Sequence, residues 1–146
     1  MKKIAFLCTA NSCRSQMAEG FARKQGAGTV AAWSAGVISA EVSKRASTVM
    51  REAGVDISGQ WSKTIDEIPL EDMDLVVTLC ENARQGVSCR NVPASVRKLH
   101  MAVKDPMGAQ GSPEEIMDDF RRARDEIKTL VAGIMEDMGK AGAQGY

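Results

Sequence analysis

The chain has 146 residues, 44% of them hydrophobic, enough for one domain that buries roughly 70% of the surface its unfolded form would expose. Its nineteen basic and nineteen acidic residues cancel, which excludes the one-signed field of a nucleic-acid or polyanion binder, so any bound anion must be held locally. The longest apolar runs are strand-sized, and Met1-Lys2-Lys3 leads into one without a signal-peptide core; a cytoplasmic monomer with no membrane contact is expected.

Lys3 to Leu7 is a short apolar run of strand length, and after a polar loop Met17, Ala18, Phe21 and Ala22 recur at helical spacing up to Gly26. Thr29 to Trp33 reads as a second strand ending in Ser34-Ala35-Gly36, and Ala46, Val49, Met50 and Ala53 mark a second helix stopped by Gly54. Leu75 to Leu79 is uninterrupted in the way of a strand covered on both faces, and Val96 to Val103 predicts a weaker fourth strand. Ser112, Pro113 and Glu115 supply an N-cap, a first-turn proline and a capping-box acid. Ile116, Phe120, Ile127, Leu130, Val131 and Ile134 follow on one face of a C-terminal helix.

This alternation predicts an α/β domain over residues 1–138, with a four-stranded parallel sheet flanked by helices on both faces and ligands at the carboxyl ends of the strands. Residues 139–146 carry no apolar period and read as a flexible tail. Four cysteines in a cytosolic protein are expected to be reduced thiols. Their spacings, with His100 as the single histidine, do not match a zinc site, so no metal is expected and His100 reads as a packed or surface residue.

The segment Cys8-Thr9-Ala10-Asn11-Ser12-Cys13-Arg14-Ser15 joins the first strand to the first helix. Free backbone N–H groups and the helix dipole there favour an anion, small polar residues allow successive amides to form a nest, and Arg14 adds a planar fork for a tetrahedral oxyanion. The same field favours the thiolate of Cys8 and makes it a nucleophile aimed at the anion. An inert buried cysteine, with Arg14 covering the first helical turn, would need neither the spacing nor the small-residue loop.

Cys-x5-Arg-Ser after a hydrophobic strand, with a second Cys just before the Arg, resembles the low-molecular-weight protein tyrosine phosphatases and the thioredoxin-coupled arsenate reductases that share their fold. Residues 8–20 follow the reductase signature except at Ala10, where glycine is usual. Ser34-Ala35-Gly36, Val76-Val77-Thr78-Leu79-Cys80, Asp105-Pro106 and Arg124-Asp125-Glu126-Ile127-Lys128 extend the match along the chain.

The resemblance implies reduction of arsenate to arsenite in arsenic detoxification, with phosphate or sulfate as analogues, no bound cofactor, and electrons from reduced thioredoxin. Asp105 matches the general acid that protonates the departing oxygen, and Ser15 is expected to hydrogen-bond Cys8. Asn11 matches the residue that holds the loop backbone in a left-handed torsion. Ala10 sits where a positive torsion would cost about 1 kcal/mol. Cys80, at the same sheet edge as Cys8, matches the second thiol, and Cys89 the third, so that the relay ends in a Cys80–Cys89 disulfide. Eight residues separate Cys80 from Cys89, against the family's usual six. Closing that bond needs Cα atoms within about 7 Å, so any helix there must partly unwind. Cys13 is close enough in sequence to pair with Cys8 under oxidation and is treated as dispensable. Relatives bind potassium through residues matching Asn11, Glu19 and Ser34 plus a Thr and an Asp, replaced here by Trp61 and Lys63. A lysine spoils a cation site, and its ammonium is expected where the ion would sit.

Two other readings share parts of this motif. A tyrosine phosphatase needs aromatic walls, yet the chain has six aromatic residues (two Trp, one Tyr, three Phe), and Met107-Gly108-Ala109 follows Asp105-Pro106. Residual activity on small aryl phosphates is still expected. A non-catalytic redox sensor or oxyanion-binding module would not need Asp105.

Overall fold

A computed structural model of the protein describes residues 1–80 and 92–143. In chain order it places β1 (Lys2–Cys8), α1 (Arg14–Gln25), β2 (Val30–Gly36), α2 (Lys44–Glu52), β3 (Leu75–Thr78), β4 (Arg97–His100) and α3 (Pro113–Ala143). The four strands form a parallel sheet in the order β2-β1-β3-β4. The order reverses direction on either side of β1, so the loop after β1 opens into the crevice where parallel sheets bind ligands.

The central strands β1 and β3 are buried on both faces. Ile4 and Phe6 of β1 and Leu75 and Val77 of β3 point into a core built with Met17 and Phe21 of α1, Val49 and Met50 of α2, and Phe120, Ile127 and Val131 of α3. Ala5, Leu7, Ala35 and Val76 face the other way, onto Ile65, Ile68, Leu70, Met73, Val92 and Val96. Helices were expected on both faces, and helical structure covers both: among the described residues the three α-helices share one face, and two 3-10 helices, Ile65–Glu67 and Leu70–Asp72, pack on the other. Pro69 between the two cannot continue a helix.

Helix boundaries follow local chemistry. Ser43 caps α2 by accepting from Ala46 N at 3.2 Å, and Gly54 beyond its end adopts φ 79°, a torsion that favours glycine. At the start of α3, Ser112 Oγ accepts from Glu115 N and Glu115 accepts from Ser112 N, the reciprocal capping box.

Two expectations shift. The fourth strand covers only Arg97–His100; Val96 and Val103 are buried but lie outside it. The stretch read as a tail from residue 139 is helical as far as Ala143, because alanines at 141 and 143 favour the helix and the packing of Ile134 and Met138 carries it that far. Among the described residues, no helix is long and apolar enough to cross a membrane.

Candidate active site

Residues 9–13 leave the end of β1 and enter α1 directly, and all of 11–15 are buried. Asn11 has φ 50°, and no other non-glycine residue among those described has a positive φ. Ala10 therefore avoids the strain that a missing glycine would have caused. The tight path needs Gly36 at the end of β2. A Cβ there would lie 2.7 Å from the Thr9 carbonyl oxygen and 2.8 Å from Asn11 N, so the loop could not close against a larger residue.

Four successive loop carbonyls bond outward. Thr9 O accepts from Val37 N and Ile38 N, Ala10 O from Ser62 Oγ, Asn11 O from Gln16 Nε2, and Ser12 O from Ser43 N. Because each peptide is planar, carbonyls turned away put the N–H ends of the same planes on the cavity side. The first turn of α1 has no side-chain cap and no acidic residue, so its amides also remain for an anion.

Cys8 is 3% exposed, and its Sγ lies 2.8 Å from Ser15 Oγ. Asn11 Nδ2 donates to the same Ser15 oxygen at 2.8 Å, which directs the serine hydrogen to the Cys8 sulfur. Asn11 Oδ1 accepts from Lys63 N and Gln16 Nε2. Asn11 thus holds the loop through both ends of its amide. Gln16 Nε2 also donates to the Trp61 carbonyl, and Gln60 Nε2 donates to Gln16 Oε1 at 2.8 Å. These two glutamines were not anticipated; the only signal was a polar residue on the buried first turn of α1.

Arg14 is 6% exposed. One of its terminal nitrogens donates to the carbonyls of Leu79 at 3.3 Å and Val103 at 2.9 Å, and the other lies 3.4 Å from Asp105 Oδ2. The guanidinium thereby ties the end of β3 and the segment after β4 to the anion loop. Asp105 Oδ1 accepts from Met107 N at 2.9 Å and so caps the 3-10 turn Pro106–Gly108. Cys80 follows β3, and its Sγ lies 3.4 Å from Thr9 Oγ1, which brings a second thiol to the residue adjoining Cys8.

Burial pushes the Cys13 thiol well above its ordinary range, with Asp105 and Cys8 adding to the effect against Arg14 and Arg122. A protonated thiol is a poor nucleophile. Cys89 lies outside the described residues. His100 is exposed on β4, with Nδ1 2.7 Å from Thr78 Oγ1.

Beneath the loop, Glu19 is 1% exposed and Lys63 7%. Glu19 accepts from Ser34 Oγ at 2.6 Å and from Arg23 at 2.7 Å, and Lys63 Nζ lies 3.6 Å away. The same ammonium donates to the Trp61 carbonyl at 2.9 Å and sits 4.8 Å from the centre of the Trp61 ring. The ammonium thus lies between Glu19 and Trp61, while the backbone N–H of Lys63 donates to Asn11 Oδ1 and Ser34 donates to Glu19.

The cavity over Cys8 measures about 290 Å³. Its floor is Cys8, Thr9, Ala10, Ser12, Cys13 and Arg14, and its walls are Ala40, Asp105 and Met107, with no aromatic side chain among the described residues. A small tetrahedral oxyanion fits these walls better than a phenyl ring does.

The family model described as low molecular weight phosphotyrosine protein phosphatase matches residues 3–144. An arsenate reductase of Halalkalibacterium halodurans is 46% identical over 126 residues, 86% of this chain and 89% of that protein. A solved arsenate reductase in its phosphate-binding state superposes with a TM-score of 0.78 at 37% identity, covering 94% of this chain and 98% of the other. An arginine phosphatase of Geobacillus stearothermophilus gives a TM-score of 0.83 at 23% identity, covering 100% of this chain and 98% of the other, which is a likeness of fold.

Proposed function

The chain belongs to the low molecular weight phosphotyrosine protein phosphatase family, and from that premise we propose that it is an arsenate reductase working by a relay of thiols. Arsenate is the substrate and arsenite the product. The oxyanion is held by the inward amides of residues 9–15 and by Arg14. The Cys8 thiolate, supported by the Ser15 hydroxyl, attacks arsenic; a new S–As bond forms, an As–O bond breaks, and Asp105 gives its proton to the departing oxygen.

The Cys80 thiolate then attacks Cys8 Sγ. The S–As electron pair leaves with arsenic, reducing As(V) to As(III), while the two sulfurs are oxidised to a disulfide. Cys89 attacks Cys80, releases Cys8 as a thiolate and leaves a Cys80–Cys89 disulfide for an external dithiol, thioredoxin, to reduce. The net change consumes two thiols and one arsenate and yields arsenite, water and one disulfide.

The observation that carries this reading is Cys80 Sγ at 3.4 Å from Thr9 Oγ1, because hydrolysis at Cys8 would need no second thiol. Arsenate-dependent NADPH oxidation in the presence of thioredoxin and thioredoxin reductase tests it. The parent protein is expected to turn over, and Cys80→Ser and Cys89→Ser to fall to background. Turnover that survives Cys80→Ser would refute the relay. The family match also supports slow hydrolysis of small aryl phosphates, since Cys8, Arg14 and Asp105 suffice for it; fast hydrolysis without arsenate-driven NADPH oxidation would favour the phosphatase reading.

A further inference from the structure

Asp105 stands in a stretch without regular structure, between β4 and the turn Pro106–Gly108. The stretch is anchored at intervals. Met101 N donates to Thr78 O and Val103 N to Leu79 O, Arg14 holds the Val103 carbonyl at 2.9 Å, and the next carbonyl, Lys104 O, is gripped from α3. There both terminal nitrogens of Arg122 donate to Lys104 O, each at 3.2 Å. The guanidinium is oriented for this by Asp119, which accepts from its Nε at 3.0 Å, and by Glu126 at 3.3 Å.

We infer that Arg122 is a positioning residue for the proton-transfer step: by clamping the Lys104 carbonyl to α3 it holds the Asp105 carboxyl over the anion loop. The inference rests on the reading of Asp105 as the proton donor. Met107 N fixes Asp105 Oδ1 at 2.9 Å within the same segment, while the link across to Arg14 is longer, its nearest nitrogen 3.4 Å away, so where the carboxyl stands depends on where the segment is held. The clamp on Lys104 acts one peptide unit from the Asp105 Cα. A displacement of about 1 Å at a reacting group costs up to roughly 100-fold in rate.

Arg121 provides the control. It is the neighbouring residue on α3 and carries three ion pairs, to Glu52, Glu114 and Asp118, against two for Arg122, and these partners lie on α2 and α3, not on the Asp105 segment. A loss of surface ion pairing alone would therefore be shared by both arginines.

The test is the single-turnover rate of arsenite formation in Arg122→Met, Arg122→Lys, Arg121→Met, Asp105→Asn and the Arg122→Met/Asp105→Asn double variant, with phosphate affinity and Tm measured for each. Asp105→Asn is expected to slow the step about 100-fold and Arg122→Met about tenfold, with phosphate affinity changed less than about twofold. Arg122→Lys should fall between parent and Arg122→Met, because one ammonium can still reach Lys104 O. In the Asp105→Asn background Arg122→Met should add less than about twofold, since both act through one group. Arg121→Met should match its Tm loss while keeping the parental rate. An equal slowing of parent and Asp105→Asn by Arg122→Met, or a rate for Arg122→Met no lower than for Arg121→Met, overturns the inference and leaves the acid reading standing. A parental rate from Asp105→Asn overturns the acid reading, and the role of Arg122 with it.

Discussion

Lys63 Nζ lies 3.6 Å from Glu19 Oε1, with side-chain exposures of 8% and 2%. A carboxylate so placed needs a counter-charge, because an isolated buried ion is strongly disfavoured. The lysine supplies it from within the chain, and Arg23 adds a second from the surface. Potassium added at constant ionic strength should therefore leave arsenate turnover unchanged; a several-fold rise would show that the ammonium does not fill the site. Lys63→Met removes one partner of a buried pair and should lower unfolding stability by about 3 kcal/mol in urea titration.

Ser15 joins Cys8 to Asn11 through a single oxygen, with contacts of 2.8 Å to each. Ser15→Ala removes the hydrogen bond to the Cys8 sulfur and the acceptor for Asn11 Nδ2 together. Hydrogen bonds to charged groups contribute about 1.5–3 kcal/mol. Arsenate turnover should drop about tenfold to 100-fold, and iodoacetamide should alkylate Cys8 more slowly at neutral pH. Unchanged alkylation and turnover would mean that the serine merely fills space.

The first strand, the anion loop and the capped C-terminal helix were legible because each is a local pattern: an apolar run, a strand-to-helix loop of small residues, a Ser-Pro-Glu-Glu start. The length of β4 was not. Its four residues, Arg97, Lys98, Leu99 and His100, carry charge on an edge strand, and the apolar residues that suggested it, Val96 and Val103, are buried beyond its ends. The outward loop carbonyls, the Gln16–Gln60 pair and the Arg122 clamp were also hidden. Each joins residues distant in sequence, often through a backbone carbonyl that any residue type could supply. Lys63 was foreseen only through the family resemblance, since nothing in its local sequence announces a buried lysine.

Cys13 gives a prediction with a defined sign. Its folded-state pKa is raised by burial, so above the unfolded value of about 8.5 the unfolded chain gives up this proton while the folded one keeps it. The unfolded state then binds fewer protons, and stability falls as pH rises. The contribution is fully present at neutral pH and is lost in the alkaline range. Unfolding free energies between pH 8 and 10 should decline less steeply in Cys13→Ala than in the parent, by up to roughly 1.4 kcal/mol per pH unit. Identical slopes would show that the thiol is not held protonated.

Arg14 carries two duties that a lysine cannot combine. One terminal nitrogen is committed to the carbonyls of Leu79 and Val103, and the other approaches Asp105. On the proposed reading the rest of the planar fork binds the oxyanion. An ammonium in Arg14→Lys could satisfy the sheet-end carbonyls or the anion, and whichever it chose would leave buried acceptors or substrate oxygens without a donor. Both phosphate affinity and turnover should therefore fall, the second by about 100-fold or more, as for loss of a preorganised charge at the reacting centre. The split between the two measurements is informative. A variant that binds phosphate normally yet turns over slowly would place the guanidinium in the transition state alone, whereas one that loses binding and rate in equal measure would make Arg14 a uniform binder of the anion.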